Sequence, residues 1–123
     1  MMAGKIIADQ IQSTTAGTLD TKFVVSGSAK VWCNVDQQST QNIQDSFNIS
    51  SITDTAVGFT THTFTSAMNN TGYANAACCE YNSHQGTNAG VSSTTTVGLA
   101  ILNNGGSYED RDDTSIVIMG DLA

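Results

Sequence analysis

The chain has 123 residues, room for one domain and not two. Apolar residues make up 39% and charged residues only 12%, so the core should be thin, the surface should be built from Ser, Thr, Asn and Gln, and strands are favoured over surface helices. Four Lys or Arg stand against eleven Asp or Glu, a net charge of −7, which leaves no basic patch for nucleic acid and argues against an anionic membrane surface.

Residues 1–20 read differently from the rest. Lys5 to Gln12 is mildly apolar through Ile6, Ile7 and Ile11, and Ser13 to Thr18 reads as a loop or extended connector. Ile7 and Ile11 have helical spacing, but the segment could equally be a strand, and it is too short for a stable lone helix. It is expected to be a docking arm, with Ile6, Ile7 and Ile11 as its docking residues. The patch at Ile6 and Ile7 is too short for a signal peptide or a membrane span, and no later run approaches ~18 apolar residues. A soluble protein without a classical export signal is expected, so the sequons at Asn48 and Asn69 carry no meaning.

From residue 21 to 123 the pattern predicts one β head. Lys22-Phe23-Val24-Val25 is a short apolar run closed by Ser26-Gly27. Ala29 to Val35 alternates, with Val31, Cys33 and Val35 on one face and Lys30, Trp32 and Asn34 on the other. Asp36 to Thr40 is a polar turn, and Phe47 and Ile49 alternate with Ser46, Asn48 and Ser50. Ile52 to Met68 holds a hairpin with Thr55-Ala56-Val57-Gly58 near its tip. Phe59 and Phe64 differ in parity, so one strand carries both only through a bulge or through burial on both faces. Asn69-Asn70-Thr71-Gly72 is a turn, Tyr73 to Tyr81 a strand, and Asn82 to Gly90 a polar, flexible stretch. Ser92 to Leu102 sets Val97, Leu99 and Ile101 opposite Gly98 and Ala100; Asn103 to Gly106 turns, Tyr108 to Asp113 is an acidic loop, and Thr114 to Met119 is the last strand. There is no Pro, and neither a repeat nor a heptad. The fold class is therefore all-β: an antiparallel β-sandwich or barrel-like head with a short N-terminal arm.

Each candidate for chemistry has a plainer explanation. The three cysteines, Cys33, Cys78 and Cys79, are too few and wrongly spaced for a disulfide framework and fit folding in a reducing cytoplasm. His62 lies mid-strand and His84 in a polar loop, and no local signature pairs either with a cysteine nucleophile. Cys78, Cys79, Glu80 and His84 are close in sequence, but adjacent cysteines do not suit zinc. Glu109-Asp110-Arg111-Asp112-Asp113 lacks the alternating oxygen ligands and fixed glycine of a calcium loop, and Arg111 partly neutralises it. Glu80 is the only Glu outside that loop, so a paired-carboxylate glycosidase site is unsupported, and no Gly-rich phosphate loop precedes a helix. No enzyme, no cofactor and no metal site is expected.

A resemblance enters at Gly27-Ser28-Ala29-Lys30-Val31-Trp32. It runs on through Asp45-Ser46-Phe47-Asn48-Ile49-Ser50-Ser51-Ile52-Thr53-Asp54 and Phe64-Thr65-Ser66-Ala67-Met68 to Tyr73-Ala74. These segments, with the opening Met2-Ala3-Gly4-Lys5-Ile6-Ile7-Ala8-Asp9 and the ending Gly120-Asp121-Leu122-Ala123, resemble small tail-fibre-like virion proteins of marine and freshwater phages, cyanophages included. Where that group often has Asn-Phe-Asn after the Trp, this chain has Cys33-Asn34-Val35, and 82–113 matches nothing in the group. Trp32, Phe47, Ile49, Ile52 and Phe64 read as core, with Met68 capping it.

The resemblance implies a phage structural protein on the virion surface, made in the host cytoplasm. It would act as a homotrimeric tail-fibre or adhesin head that contacts host surface glycans, with Tyr81, His84, Tyr108 and Asp110 as the receptor-binding loop residues. The alternative is a capsid decoration protein clamped to the head by its arm. The partners expected are two further copies, other phage structural proteins and a host glycan, with no nucleic acid and no membrane insertion. A polysaccharide depolymerase, usually a long β-helix with acidic clefts, would need more length and more carboxylates.

Overall fold

A computed structural model describes residue 4, residues 7–80 and residues 85–123, leaving aside the side chains of 85 and 87–91. Among these residues strands dominate, arranged in three antiparallel sheets, with one short helix. A small hairpin pairs β1 (Gln10–Ser13) with β2 (Gly17–Asp20). The helix α1 (Thr21–Gly27) follows, and then eight strands form two sheets of four: β3 (Ala29–Asp36), β4 (Asn42–Phe47), β5 (Ile49–Ala56), β6 (Phe59–Phe64), β7 (Ala74–Cys79), β8 (Gln85–Ser92), β9 (Thr96–Leu102) and β10 (Thr114–Met119). One sheet has the order β4-β3-β10-β7 and the other β5-β6-β9-β8.

Alternation sets the buried face of each sheet. In β3 it is Val31, Cys33 and Val35, and in β10 it is Thr114, Ile116 and Ile118. In β6 it is Thr60, His62 and Phe64. Val97, Phe64 and the partly buried Ile49 and Ile52 of one sheet join Val31, Cys33, Val35, Ile116 and Ile118 of the other in a single core. Met68 and Tyr73 close it; the Tyr73 hydroxyl donates to the carbonyls of Ser93 and Thr96, at 3.1 and 3.2 Å.

The Phe59/Phe64 parity problem is resolved by burial on both faces. Phe64 points into the core, while Phe59 lies on the opposite face under the ring of Tyr108, 4.3 Å between centroids. In β9, an inner strand between β6 and β8, Val97 through Ile101 are all buried. Between β4 and β5, Asn48 turns the chain from one sheet to the other at φ 60°, a left-handed conformation that Asn tolerates. Its side chain holds the corner: Oδ1 accepts from Ser66 N (2.7 Å) and Nδ2 donates to the carbonyls of Lys30 and Ser66 (both 3.1 Å).

Four expectations are corrected. Lys22 to Val25 is helical, not extended: among the described residues no strand is placed to pair with it, and the seven-residue helix follows directly from the hairpin. Ser13 to Thr18 is not a connector but the turn and start of that hairpin, with Ser13 Oγ accepting from Ala16 N (3.1 Å) and Gly17 at φ 94°. The polar stretch 82–90 contains most of β8, whose backbone pairs with β9 although its sequence lacks apolar alternation. Trp32 and Phe47 are not core residues. They are a cross-strand pair on the outer face of their sheet, 36% and 53% exposed, because Val31, Cys33 and Val35 take the inner face.

Candidate functional site

Two regions carry the residues singled out from sequence. The first is the arm. Ile11 and Leu19 lie directly opposite each other across the β1–β2 hairpin, and both are exposed. Ile7 is 83% exposed and Ile11 54%. Helix α1 adds exposed Phe23, Val24 and Val25, and none of its residues is buried. Polar contacts hold the arm's own shape. Gln10 Nε2 donates to Asp20 Oδ1 (2.8 Å), Lys22 Nζ lies 3.2 Å from Asp20 Oδ2, and Thr21 N donates to Asp9 O (2.8 Å). The Gln10 amide, and after it the Lys22 ammonium, hold the Asp20 carboxyl below its ordinary value. Ile6 lies outside the described residues.

The second region is a group of loops around the hairpin tip. Gly58, at φ 73°, closes the β5–β6 hairpin, and a Cβ there would stand 2.7 Å from Glu109 N. Its amide donates to Asp110 Oδ1 at 2.5 Å, and its carbonyl accepts from Ile101 N at 2.8 Å. The Asp110 carboxylate is thus engaged in fastening the acidic loop to the hairpin. Beside it, Tyr108 packs on Phe59 and remains 51% exposed. Below them a buried amide network ties three segments together. Gln37 Nε2 donates to Thr60 Oγ1 (2.9 Å), Thr60 Oγ1 donates to Gln41 Oε1 (2.7 Å), and Gln37 N donates to Arg111 O (2.7 Å). Gln37 escaped the sequence reading, because a Gln in an all-polar stretch carries no burial signal. Arg111 meets Glu109 Oε1 through Nη2 at 2.6 Å. The Glu80 carboxyl is raised above its ordinary value, first by its hydrogen bond with Asp112. Tyr81 and His84 lie outside the described residues, so of the four loop residues only Tyr108 and Asp110 are placed together here.

The remaining reactive groups sit apart from both regions. Cys33 is buried, and burial, with the Asp45 charge second, pushes its thiol up to about 11. His62 is fully buried, and burial drives its imidazole down to about 4; the backbones of Val97 and Thr60 offset this only partly, and neither ring nitrogen has a well-aligned hydrogen bond. Cys78 is exposed on the outer face of its sheet. Among the described residues, no three His, Cys, Asp or Glu side chains are grouped so as to hold a metal ion, and no helix is long and apolar enough to cross a membrane. Comparison of the chain with protein-family models, characterised proteins and solved structures returned no match.

Proposed function

We propose that this protein is a phage virion structural protein: a homo-oligomeric β-sandwich head, fixed to the particle through its arm, that contacts the host surface with its loop end. The observation that carries the reading is the arm. Ile7, Ile11, Leu19, Phe23, Val24 and Val25 are all exposed in one short segment, a density of solvent-facing apolar side chains that soluble surfaces rarely leave uncovered. A segment of this kind suits docking on another structural protein. The loop end adds a half-exposed Tyr108 ring framed by carboxylates and amides, a surface that can stack on a sugar and hydrogen-bond its hydroxyls. The segment resemblance supports a tail-fibre or adhesin role.

The test has two parts. Particles are assembled with Ile11→Asp/Leu19→Asp protein, and incorporation is measured; retention at the wild-type level would sink the docking role of the arm. Adsorption of particles carrying Tyr108→Ala is then compared with wild type. Reduced adsorption at normal incorporation supports the adhesin. Unchanged adsorption, also in particles lacking the protein, moves the reading to the capsid decoration protein, for which a copy number in the hundreds is the matching result.

A further inference from the structure

The outer face of the β4-β3-β10-β7 sheet carries a continuous apolar row. Phe47, Trp32, Val117 and Ala76 are register partners across all four strands, and all point outward. A second row, Ala29, Met119 and Ala74, runs beside it. None of these seven residues is charged, in a chain whose net charge of −7 opposes the approach of a second copy elsewhere. The charges on this face lie at its two ends. Lys30 is two residues from Trp32 along β3. On the opposite side, Asp45 is two residues from Phe47 along β4 and pairs with Asn34. Each is displaced by about 7 Å from the apolar row, in opposite directions.

We propose that this face pairs with the same face of a second copy about a two-fold axis running along the Phe47–Trp32–Val117–Ala76 row. That rotation lays the row of one copy on the row of the other and brings each Lys30 to the end of the partner face that holds Asp45. The surface is self-complementary in both charge and polarity, as an isologous contact requires. Lys30 Nζ, now donating to Ser28 O and Ser28 Oγ at 2.8 Å, is a flexible ammonium that can turn to the carboxylate. Along the first row the side chains fall in size from Phe47 and Trp32 to Val117 and Ala76, and in the second Met119 stands between Ala29 and Ala74. The pairing is two-fold, unlike the three-fold association expected from sequence, and it is independent of whether the head serves tail or capsid.

Trp32 is the only Trp in the chain, so its emission reports on the interface itself. Sedimentation equilibrium of the full chain across a concentration range, with emission read in parallel, should give a two-copy mass and a blue shift that rises with it. Lys30→Glu or Asp45→Lys alone should raise the dimer dissociation constant roughly tenfold or more, by setting like charges opposite one another. Lys30→Glu/Asp45→Lys together should restore it. Both residues are at the surface, and circular dichroism checks that the variants fold. A monomer at all concentrations, a three-copy mass, single reversals without effect, or a double reversal that fails to rescue would each overturn the proposal.

Discussion

Replacing His62 by Leu should remove most of the acid sensitivity of the fold. The imidazole is fully buried at the centre of β6, between Ile52 and Val97 of the neighbouring strands. Its pKa falls from an ordinary 6.5 to about 4 in the folded chain. Below pH 6.5 the unfolded chain takes up a proton that the folded chain refuses, so stability declines as the pH falls from 6.5 towards 4 and levels off below that. At about 1.4 kcal/mol per unit, the full penalty is about 3 kcal/mol, of which about 2 kcal/mol is already present at pH 5. At pH 7 the exchange to Leu should cost little, since neither ring nitrogen gives up a well-aligned hydrogen bond. The assay is urea unfolding of wild type and variant at pH 7.0, 5.0 and 4.5. A wild-type stability that falls no faster with pH than that of His62→Leu would refute the reasoning.

Gly58→Ala should destabilise by about 2–4 kcal/mol, because a Cβ at φ 73° is strained and meets the backbone of Glu109, which has no rotamer with which to yield. Thermal unfolding of the variant reads that loss directly. Gln37→Ala strips partners from Thr60 Oγ1 and Arg111 N and should cost about 1–3 kcal/mol in the same measurement. A thiol reagent under native conditions should modify Cys78 readily and reach Cys33 only on unfolding, as mass spectrometry of labelled peptides would record; equal rates would refute the inward placement of Cys33.

Where alternation was clean, the fold was legible from sequence. Val31, Cys33 and Val35 share the inner face, Val97, Leu99 and Ile101 do likewise, and Thr114 to Met119 is a strand with the expected bounds. What alternation cannot tell is which of two apolar-bearing faces turns inward. Trp32 reads as core through the motif it belongs to, although it shares its face with Lys30 and Asn34, and that company marks the outer side. Lys22 to Val25 misled for another reason. An aromatic and two valines favour a strand only where a strand stands ready to pair, and local propensity gives way to context. β8 shows the converse: backbone pairing with β9 suffices for a strand that its polar sequence does not announce. For the loop end, Tyr108 and Asp110 were legible as neighbours. Their attachment to Phe59 and Gly58, some fifty residues away, is a matter of packing that no local pattern encodes.

The place of β10 sets the order of events in folding. It is an inner strand of its sheet, hydrogen-bonded to β3 on one side and β7 on the other, so residues as distant as Val35 and Thr114 must meet before that sheet exists. Such non-local pairing is slow. On the ribosome, β3 and β7 emerge first and wait with open edges until Thr114–Met119 has cleared the exit tunnel, while β5, β6 and β9 can already pair in sequence. A chain halted before residue 114 would leave the inner edge of β3 bare and β7 without a ladder partner, which makes β10 the strand that separates a folded chain from an aggregate.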